Sequence, residues 1–176
     1  MSCKYSIWLV PPQPHRDRLQ SLINTFCELT NTPKFVPHIT LLGDIPHSAE
    51  KIQRRISTEI SHWQDVHISM EAIAQGDKYF MSLYILVLLN TELQKMRQSC
   101  HNLFVDTVIP DIFTPHISLA YGPICKRTKE KFAHAIQEYL LPLSFIIDRV
   151  QIVQSSNDTP IESWQQVREI PFRMAT

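Results

Sequence analysis

Glycine is scarce in this 176-residue chain, which has only three, and its seventeen basic residues are balanced by seventeen acidic ones. A glycine-rich loop that cradles phosphates is therefore excluded, and with it the P-loop and dinucleotide-binding signatures. The charge balance provides no long-range field of the kind that attracts long nucleic acids or anionic membranes. A small nucleotide needs only a local site, so this class of ligand stays open.

Paired cysteines and long apolar runs are also lacking. The four cysteines include no C-x-x-C pair, so the chain has no zinc or redox motif. The longest uncharged apolar stretch, residues 79–90, is too short to cross a membrane, and the apolar run at residues 5–10 is too short for a signal peptide. We therefore expect a cytoplasmic monomer with reduced thiols, no metal, no cofactor and no membrane partner.

Apolar strands and amphipathic helices follow one another along the whole chain. At 44% apolar and 19% charged residues, the composition is ordinary for one compact domain. The pattern predicts helices at residues 14–30, 48–63, 91–106 and 126–140. It predicts strands at residues 5–10, 35–42, 66–74, 79–90, 115–121, 143–154 and 163–172. A turn is expected at Gly43-Asp44, after the second strand.

An internal repeat with an offset of 78 residues is the most specific feature of the sequence. The segment Phe35-Val-Pro-His-Ile-Thr-Leu41 aligns with Phe113-Thr-Pro-His-Ile-Ser-Leu119, with five identities in seven positions. The same offset aligns two strand-like segments, residues 5–10 and 83–88. A repeat that preserves the order of elements predicts a duplicated unit, with halves at about residues 1–77 and 78–155 and a last strand outside them.

Each copy of the repeat carries a histidine followed two positions later by a hydroxyl: His38 and Thr40 in the first, His116 and Ser118 in the second. Residues i and i+2 of a strand share one face, so each pair should point in one direction. Imidazole can accept or donate a proton near neutral pH, and a hydroxyl can donate to a non-bridging phosphate oxygen. The repeat therefore predicts a cleft for phosphodiester hydrolysis, with the two histidines as its acid and base.

A third motif of the same form, His67-Ile-Ser69, lacks the preceding proline and has no counterpart at the repeat offset. We interpret it as an ordinary strand histidine. The matched pair could also consist of polar core groups in a duplicated scaffold, but its recurrence at matched positions in matched elements favours a functional role.

The two repeated motifs resemble those of the two-histidine (2H) phosphoesterase superfamily, and within it the cyclic phosphodiesterases of tRNA-splicing metabolism known from plants and fungi. Residues 5–8, 100–104 and 162–167 extend the likeness along the chain. The resemblance implies a bilobal α+β fold, in which two antiparallel sheets line a central cleft with helices outside. It also implies metal-independent hydrolysis of ADP-ribose 1″,2″-cyclic phosphate to the 1″-phosphate, and of nucleoside 2′,3′-cyclic phosphates to 2′-phosphates.

The resemblance also implies a role for single residues of this chain. His38 and His116 become the acid–base pair, and the phosphate-binding residues become Thr40, Ser118 and Tyr121. The first copy has a glycine where the second has that tyrosine, so the two halves are not equivalent.

Three aromatic residues at the start of the second half, Tyr79, Phe80 and Tyr84, could stack on a base, although aromatic residues in strands more often belong to the core. Two other functions remain open: a related enzyme acting on RNA ends, like the 2′,5′-RNA-ligase-like or U6-processing branches, and a non-catalytic nucleotide-binding module. The lack of a basic stripe argues against a polymer substrate. Intact histidines and hydroxyls in both copies argue against the binding module, so we expect a small cyclic nucleotide as the partner.

Overall fold

The computed structural model of the protein describes residues 3–108, 112–141 and 143–172. Within them the helices are α1 (His15–Thr30), α2 (Ala49–Ile60), α3 (Thr91–Leu103) and α4 (Lys126–Leu140). The strands are β1 (Tyr5–Leu9), β2 (Ile39–Ile45), β3 (Val66–Gln75), β4 (Leu83–Val87), β5 (His116–Ala120), β6 (Ser144–Ile147), β7 (Arg149–Gln154) and β8 (Gln165–Pro171). Short 3-10 turns occupy Tyr79–Met81 and Ile161–Ser163.

The strands form two four-stranded antiparallel sheets, in the orders β2-β1-β7-β8 and β5-β4-β3-β6. The matched strands of the repeat occupy matching places, because β1 and β4 each pair with the strand that carries a repeated motif. The last strand of each half crosses over: β3 pairs with β4 in the second sheet, and β7 pairs with β1 in the first. The expected bilobal α+β fold with a pseudo-two-fold repeat is confirmed.

Amphipathic helices cover the sheets, α2 and α3 against the first and α1 and α4 against the second. In α2 the buried side chains Ile52, Ile56 and Ile60 recur every four residues and form one apolar stripe. Ser48 caps this helix, since its side chain accepts a hydrogen bond from the Lys51 N–H at 3.3 Å. None of the helices in the described residues has the length and apolar character needed to cross a membrane.

The second strand differs from its prediction at both ends. It begins at Ile39 rather than at residue 35, because Pro37 has no N–H to give to a sheet. It also continues through Gly43 and Asp44, so the predicted turn there is wrong. The register between β1 and β2 shifts at this point, and Asp44 has a φ of 54°, as in a β-bulge.

Two other predicted strands are broken in the structure. The strand predicted at residues 79–90 starts only at Leu83, because residues 79–81 form a 3-10 turn that Met81 N–H closes on the Lys78 carbonyl at 3.0 Å. The strand predicted at 143–154 splits at Asp148, where the chain passes from one sheet to the other. The sequence on both sides of Asp148 is typical of a strand, so the pattern gives no sign that the two pieces belong to different sheets.

Candidate active site

A cavity of about 390 Å³ is lined by residues of both sheets. Both repeated motifs contribute their histidine and their hydroxyl to it, and Tyr121 lies beside them; we call it the active-site cavity. The structure thus brings together all five residues that the sequence proposed for catalysis and phosphate binding. Their chemical roles stay predictions.

The two imidazoles are held in the same way. His38 Nδ1 lies 2.6 Å from the Val36 carbonyl oxygen, and His116 Nδ1 lies 2.8 Å from that of Thr114. A carbonyl can only accept, so Nδ1–H donates in both cases and Nε2 is the nitrogen left to exchange a proton. The two accepting carbonyls, of residues 36 and 114, are also 78 residues apart, so the repeat includes these hydrogen bonds as well as the histidines.

The surroundings of the two imidazoles differ. The ring of Trp8 stacks on that of His38 with centroids 3.5 Å apart and planes 7° from parallel. His38 is only 7% exposed, and this burial lowers its pKa to about 3. The neighbouring His116 also lowers the pKa, whereas the hydrogen bond to Val36 raises it. His116 is half-buried and meets the edge of Tyr84, and burial lowers its pKa as well. Both imidazoles are therefore neutral at pH 7 in the free protein.

This burial predicts that the protein loses stability in acid. The pKa of His38 is about 3 in the folded chain and about 6.5 when unfolded, so the unfolded chain binds more protons between these values. The free energy of unfolding should therefore fall as the pH drops below about 6.5, by ~2 kcal/mol at pH 5 for this residue. Urea unfolding of the native protein and of His38→Asn at pH 7 and pH 5 measures this. An equal loss in both proteins would contradict the prediction.

The hydroxyls and the tyrosine lie beside the imidazoles. Ser118 Oγ–H donates to the Phe80 carbonyl at 3.0 Å, and Thr40 is half-buried on β2. The Tyr121 ring stacks on Phe35 with centroids 3.9 Å apart. Burial raises the pKa of Tyr121 far above its usual value, against a hydrogen bond to Ser118, so this residue stays a neutral donor.

One wall of the cavity is the segment of residues 76–82, which we call the cleft loop. A Cβ on Gly76 would lie 2.7 Å from the Met81 carbonyl oxygen, so this tight turn requires glycine. The buried Lys129 donates to the Gly76 carbonyl at 2.9 Å, and the Gly122 N–H donates to the Tyr79 carbonyl at 2.8 Å. Bonds from α4 and from the end of β5 thus fix the loop in place.

The three aromatic residues proposed to stack on a base have different positions. Tyr79 and Phe80 belong to the cleft loop and line the cavity, where Tyr79 is 47% exposed. The Phe80 ring lies nearly parallel to that of Trp164, with centroids 5.9 Å apart. Tyr84 packs against His116 instead of lining the cavity. The structure therefore leaves the first two as candidates for contact with a base.

Comparison with known proteins assigns the family. A model for cyclic phosphodiesterase-like proteins matches residues 1–172. The chain belongs to the cyclic phosphodiesterase-like family. It is 23% identical over 168 residues to a cyclic phosphodiesterase of Arabidopsis thaliana, covering 93% of this chain and 92% of that one. A 2′,3′-cyclic-nucleotide 3′-phosphodiesterase of Phaeosphaeria nodorum is 28% identical over 132 residues, 66% of this chain and 67% of that one.

The same fold occurs in solved structures of the 2H superfamily. The crystal structure of E. coli LigT with phosphate aligns with this chain over 98% of each protein, with a TM-score of 0.59 and 11% sequence identity. Membership of the cyclic phosphodiesterase-like family confirms the sequence-based assignment to the 2H phosphoesterases and to phosphodiesterase enzymes.

Several residues line the cavity although no sequence pattern predicted them there. No local pattern predicts the position of Trp8, because its stacking on His38 depends on a long-range pairing of β1 with β2. Asp44 accepts hydrogen bonds from the backbone N–H and side chain of Asn157, at 3.2 and 2.8 Å, and brings the β7–β8 connection to the cavity. Alternation along β1 could have placed Ser6 and Trp8 on one face, but not beside this site.

Three further observations concern the chemical groups at or near the active-site cavity. Lys78 is an exposed cation at the cavity, while the third motif, at His67, lies exposed on β3 outside it. In the part of the chain that the structure describes, no three His, Cys, Asp or Glu side chains are grouped so as to hold a metal ion.

Proposed function

We propose that this protein hydrolyses small cyclic phosphodiesters: ADP-ribose 1″,2″-cyclic phosphate to ADP-ribose 1″-phosphate, and nucleoside 2′,3′-cyclic phosphates to 2′-phosphates. The observation that carries the proposal is the pair of imidazoles at one cavity, each with Nδ1–H bound to a carbonyl and Nε2 left to exchange a proton. The names of the Arabidopsis and Phaeosphaeria relatives support this class of substrate.

The proposed reaction adds one water across one P–O bond. One imidazole takes a proton from water as its oxygen attacks phosphorus, and the 3′ oxygen of a nucleoside substrate leaves on the opposite side. The other imidazole, protonated beforehand, gives its proton to that oxygen, so the product is a 2′-phosphate with a free 3′-hydroxyl. Thr40 and Tyr121 donate hydrogen bonds to the non-bridging oxygens, which carry the charge of the transition state, and Ser118 does so once its hydroxyl turns from the Phe80 carbonyl to the phosphate.

The lowered pKa values of the histidines predict the pH dependence of this reaction. Hydrolysis needs one neutral and one protonated imidazole. This form is most abundant between the two pKa values, both of which lie below 6.5 in the free protein. We therefore expect kcat/KM, which reports the free enzyme, to fall as the pH rises from about 6 to 8. A bound phosphate favours the imidazolium, so kcat should fall only at higher pH.

Initial rates at several substrate concentrations between about pH 5 and pH 9 separate kcat from kcat/KM. A kcat/KM that rises through pH 7 would show that the imidazoles of the free enzyme do not titrate as their burial requires.

The function is tested by incubating the EDTA-treated protein with ADP-ribose 1″,2″-cyclic phosphate and with each nucleoside 2′,3′-cyclic phosphate. Phosphorus NMR then identifies which oxygen retains the phosphate. We expect 1″-phosphate and 2′-phosphate products and no loss of rate with EDTA. An RNA oligomer with the same terminus serves as the comparison substrate. Faster turnover of the oligomer would favour an enzyme of RNA ends, and the absence of any product would favour a binding module.

A further inference from the structure

A second cavity, of about 320 Å³, adjoins the active-site cavity, and the two share Trp8 and Trp164 among their lining residues. We call it the side groove. Its lining also includes Val36, whose carbonyl holds His38 Nδ1. The Trp8 ring stacks on His38 and lies edge-to-face with Trp164 at 5.8 Å, so the groove starts one side chain away from the imidazole.

The side groove contains a cation that the protein leaves available. Arg16, in the first turn of α1, is half-buried, and within the described residues its guanidinium forms no hydrogen bond or ion pair. The other cation of the groove, Lys34, is already paired with Glu28 at 2.5 Å. Glu162 also lines the groove but is exposed to solvent, where its charge is screened. Arg16 is therefore the groove's free site for an anionic group.

Beyond Arg16, on the side away from the side groove, acidic side chains outnumber basic ones. This residue also lines a third cavity, whose other charged lining residues are Asp65, Asp148, Glu169 and Arg149, and Arg149 is paired with Asp148 at 2.7 Å and with Glu169 at 2.9 Å. A phosphate group would be attracted to the Arg16 guanidinium, and the carboxylates behind it, which outnumber Arg149 three to one, would repel a further anionic group. The groove thus suits an anion at one position and not a polyanion that continues past it.

We propose that the side groove binds a second phosphate group of the substrate, carried on the 5′ oxygen of the ribose whose cyclic phosphate is hydrolysed, with Arg16 as the binding cation. This rests on the proposed function, since it places the cyclic phosphate between His38 and His116. The planar fork of N–H donors on arginine fits phosphate oxygens, and the two tryptophans provide apolar walls for the sugar between the two phosphates. The preferred substrates are then 5′-phosphorylated or diphosphate-linked cyclic nucleotides.

The test compares kcat/KM for adenosine 2′,3′-cyclic phosphate with that for its 5′-phosphorylated form. We expect the 5′-phosphate to raise kcat/KM of the native protein by roughly tenfold to hundredfold, mainly through KM, because a charge-assisted hydrogen bond is worth this much. In Arg16→Gln the ratio of the two values should fall close to one, and Arg16→Lys should restore part of it. ADP-ribose 1″,2″-cyclic phosphate as a third substrate tests the diphosphate-linked form.

Arg54→Gln is the matched control, because it removes the same charge from an exposed position on α2 away from both cavities. It should keep the native ratio. A native ratio near one, or the same ratio in Arg16→Gln as in the native protein, would overturn the proposal and leave the proposed function standing.

If neither ADP-ribose 1″,2″-cyclic phosphate nor any nucleoside 2′,3′-cyclic phosphate is hydrolysed, the proposed function fails, and calorimetric titration with ADP and with adenosine still tests the groove. We expect ADP to bind the native protein at least about tenfold more tightly than it binds Arg16→Gln, with adenosine affinity similar in both. Equal ADP affinity in the two proteins would refute the role of Arg16 by itself.

Discussion

His116→Ala is expected to lower kcat on a nucleoside 2′,3′-cyclic phosphate by about 10²- to 10⁴-fold, and His38→Asn by a similar factor. Each substitution removes a group that transfers a proton in the transition state, and water replaces it poorly. Substrate should still bind, because the hydroxyls and the cleft loop remain. Steady-state kinetics with substrate above KM measures the loss, and thermal unfolding followed by circular dichroism shows whether the fold is kept.

The third motif provides a control from the same sequence pattern. His67→Ala changes a histidine that also precedes a serine by two positions, but on an exposed part of β3 outside the cavity. Its kcat should match the native value within about twofold, since it makes no contact with the reacting atoms. Full activity in His116→Ala, or an equal loss in His67→Ala, would exclude the acid–base roles.

Thr40→Val and Ser118→Ala are each expected to lower kcat by about 10²- to 10³-fold, the usual cost of removing one donor to a developing oxyanion. Valine keeps the branched shape of threonine, so β2 should retain its pairing with Trp8. Ser118→Ala also frees the Phe80 carbonyl of the cleft loop and should therefore raise KM, which Thr40→Val should not.

Ser69→Ala, in the third motif, is the control for both hydroxyl variants, because among the described residues the Ser69 side chain bonds only to the neighbouring His67, at 3.2 Å. The readout is kcat and KM on one cyclic nucleotide for all three proteins. A native kcat in Thr40→Val would show that the Thr40 hydroxyl does not stabilise the transition state.

The repeat made most of the site predictable. Motifs at matched positions of a duplicated unit had to meet near its symmetry axis, and His38 and His116 do line one cavity. What the repeat could not show was how the halves join. Periodicity identifies a strand but not its partner, so nothing in β3 or β7 indicated that each would pair in the other half's sheet.

Long-range contacts account for the remaining differences. The stacking of Trp8 on His38 and the contact of Asp44 with Asn157 join residues far apart in sequence, and no local pattern encodes such pairs. The broken strand at residues 79–81 has the same origin. Two of its carbonyls accept hydrogen bonds from Gly122 and Ser118, which follow about forty residues later along the chain.

The exchange of the last strand of each half between the sheets restricts how the enzyme can move. Asp148 alone separates β6 in one sheet from β7 in the other, and β7 lies inside its sheet between β1 and β8. The two sheets that line the cavity therefore cannot separate unless hydrogen bonds between central strands break. Substrate has to enter a rigid slot, because the cleft loop at its rim is itself tied to α4 and to the end of β5.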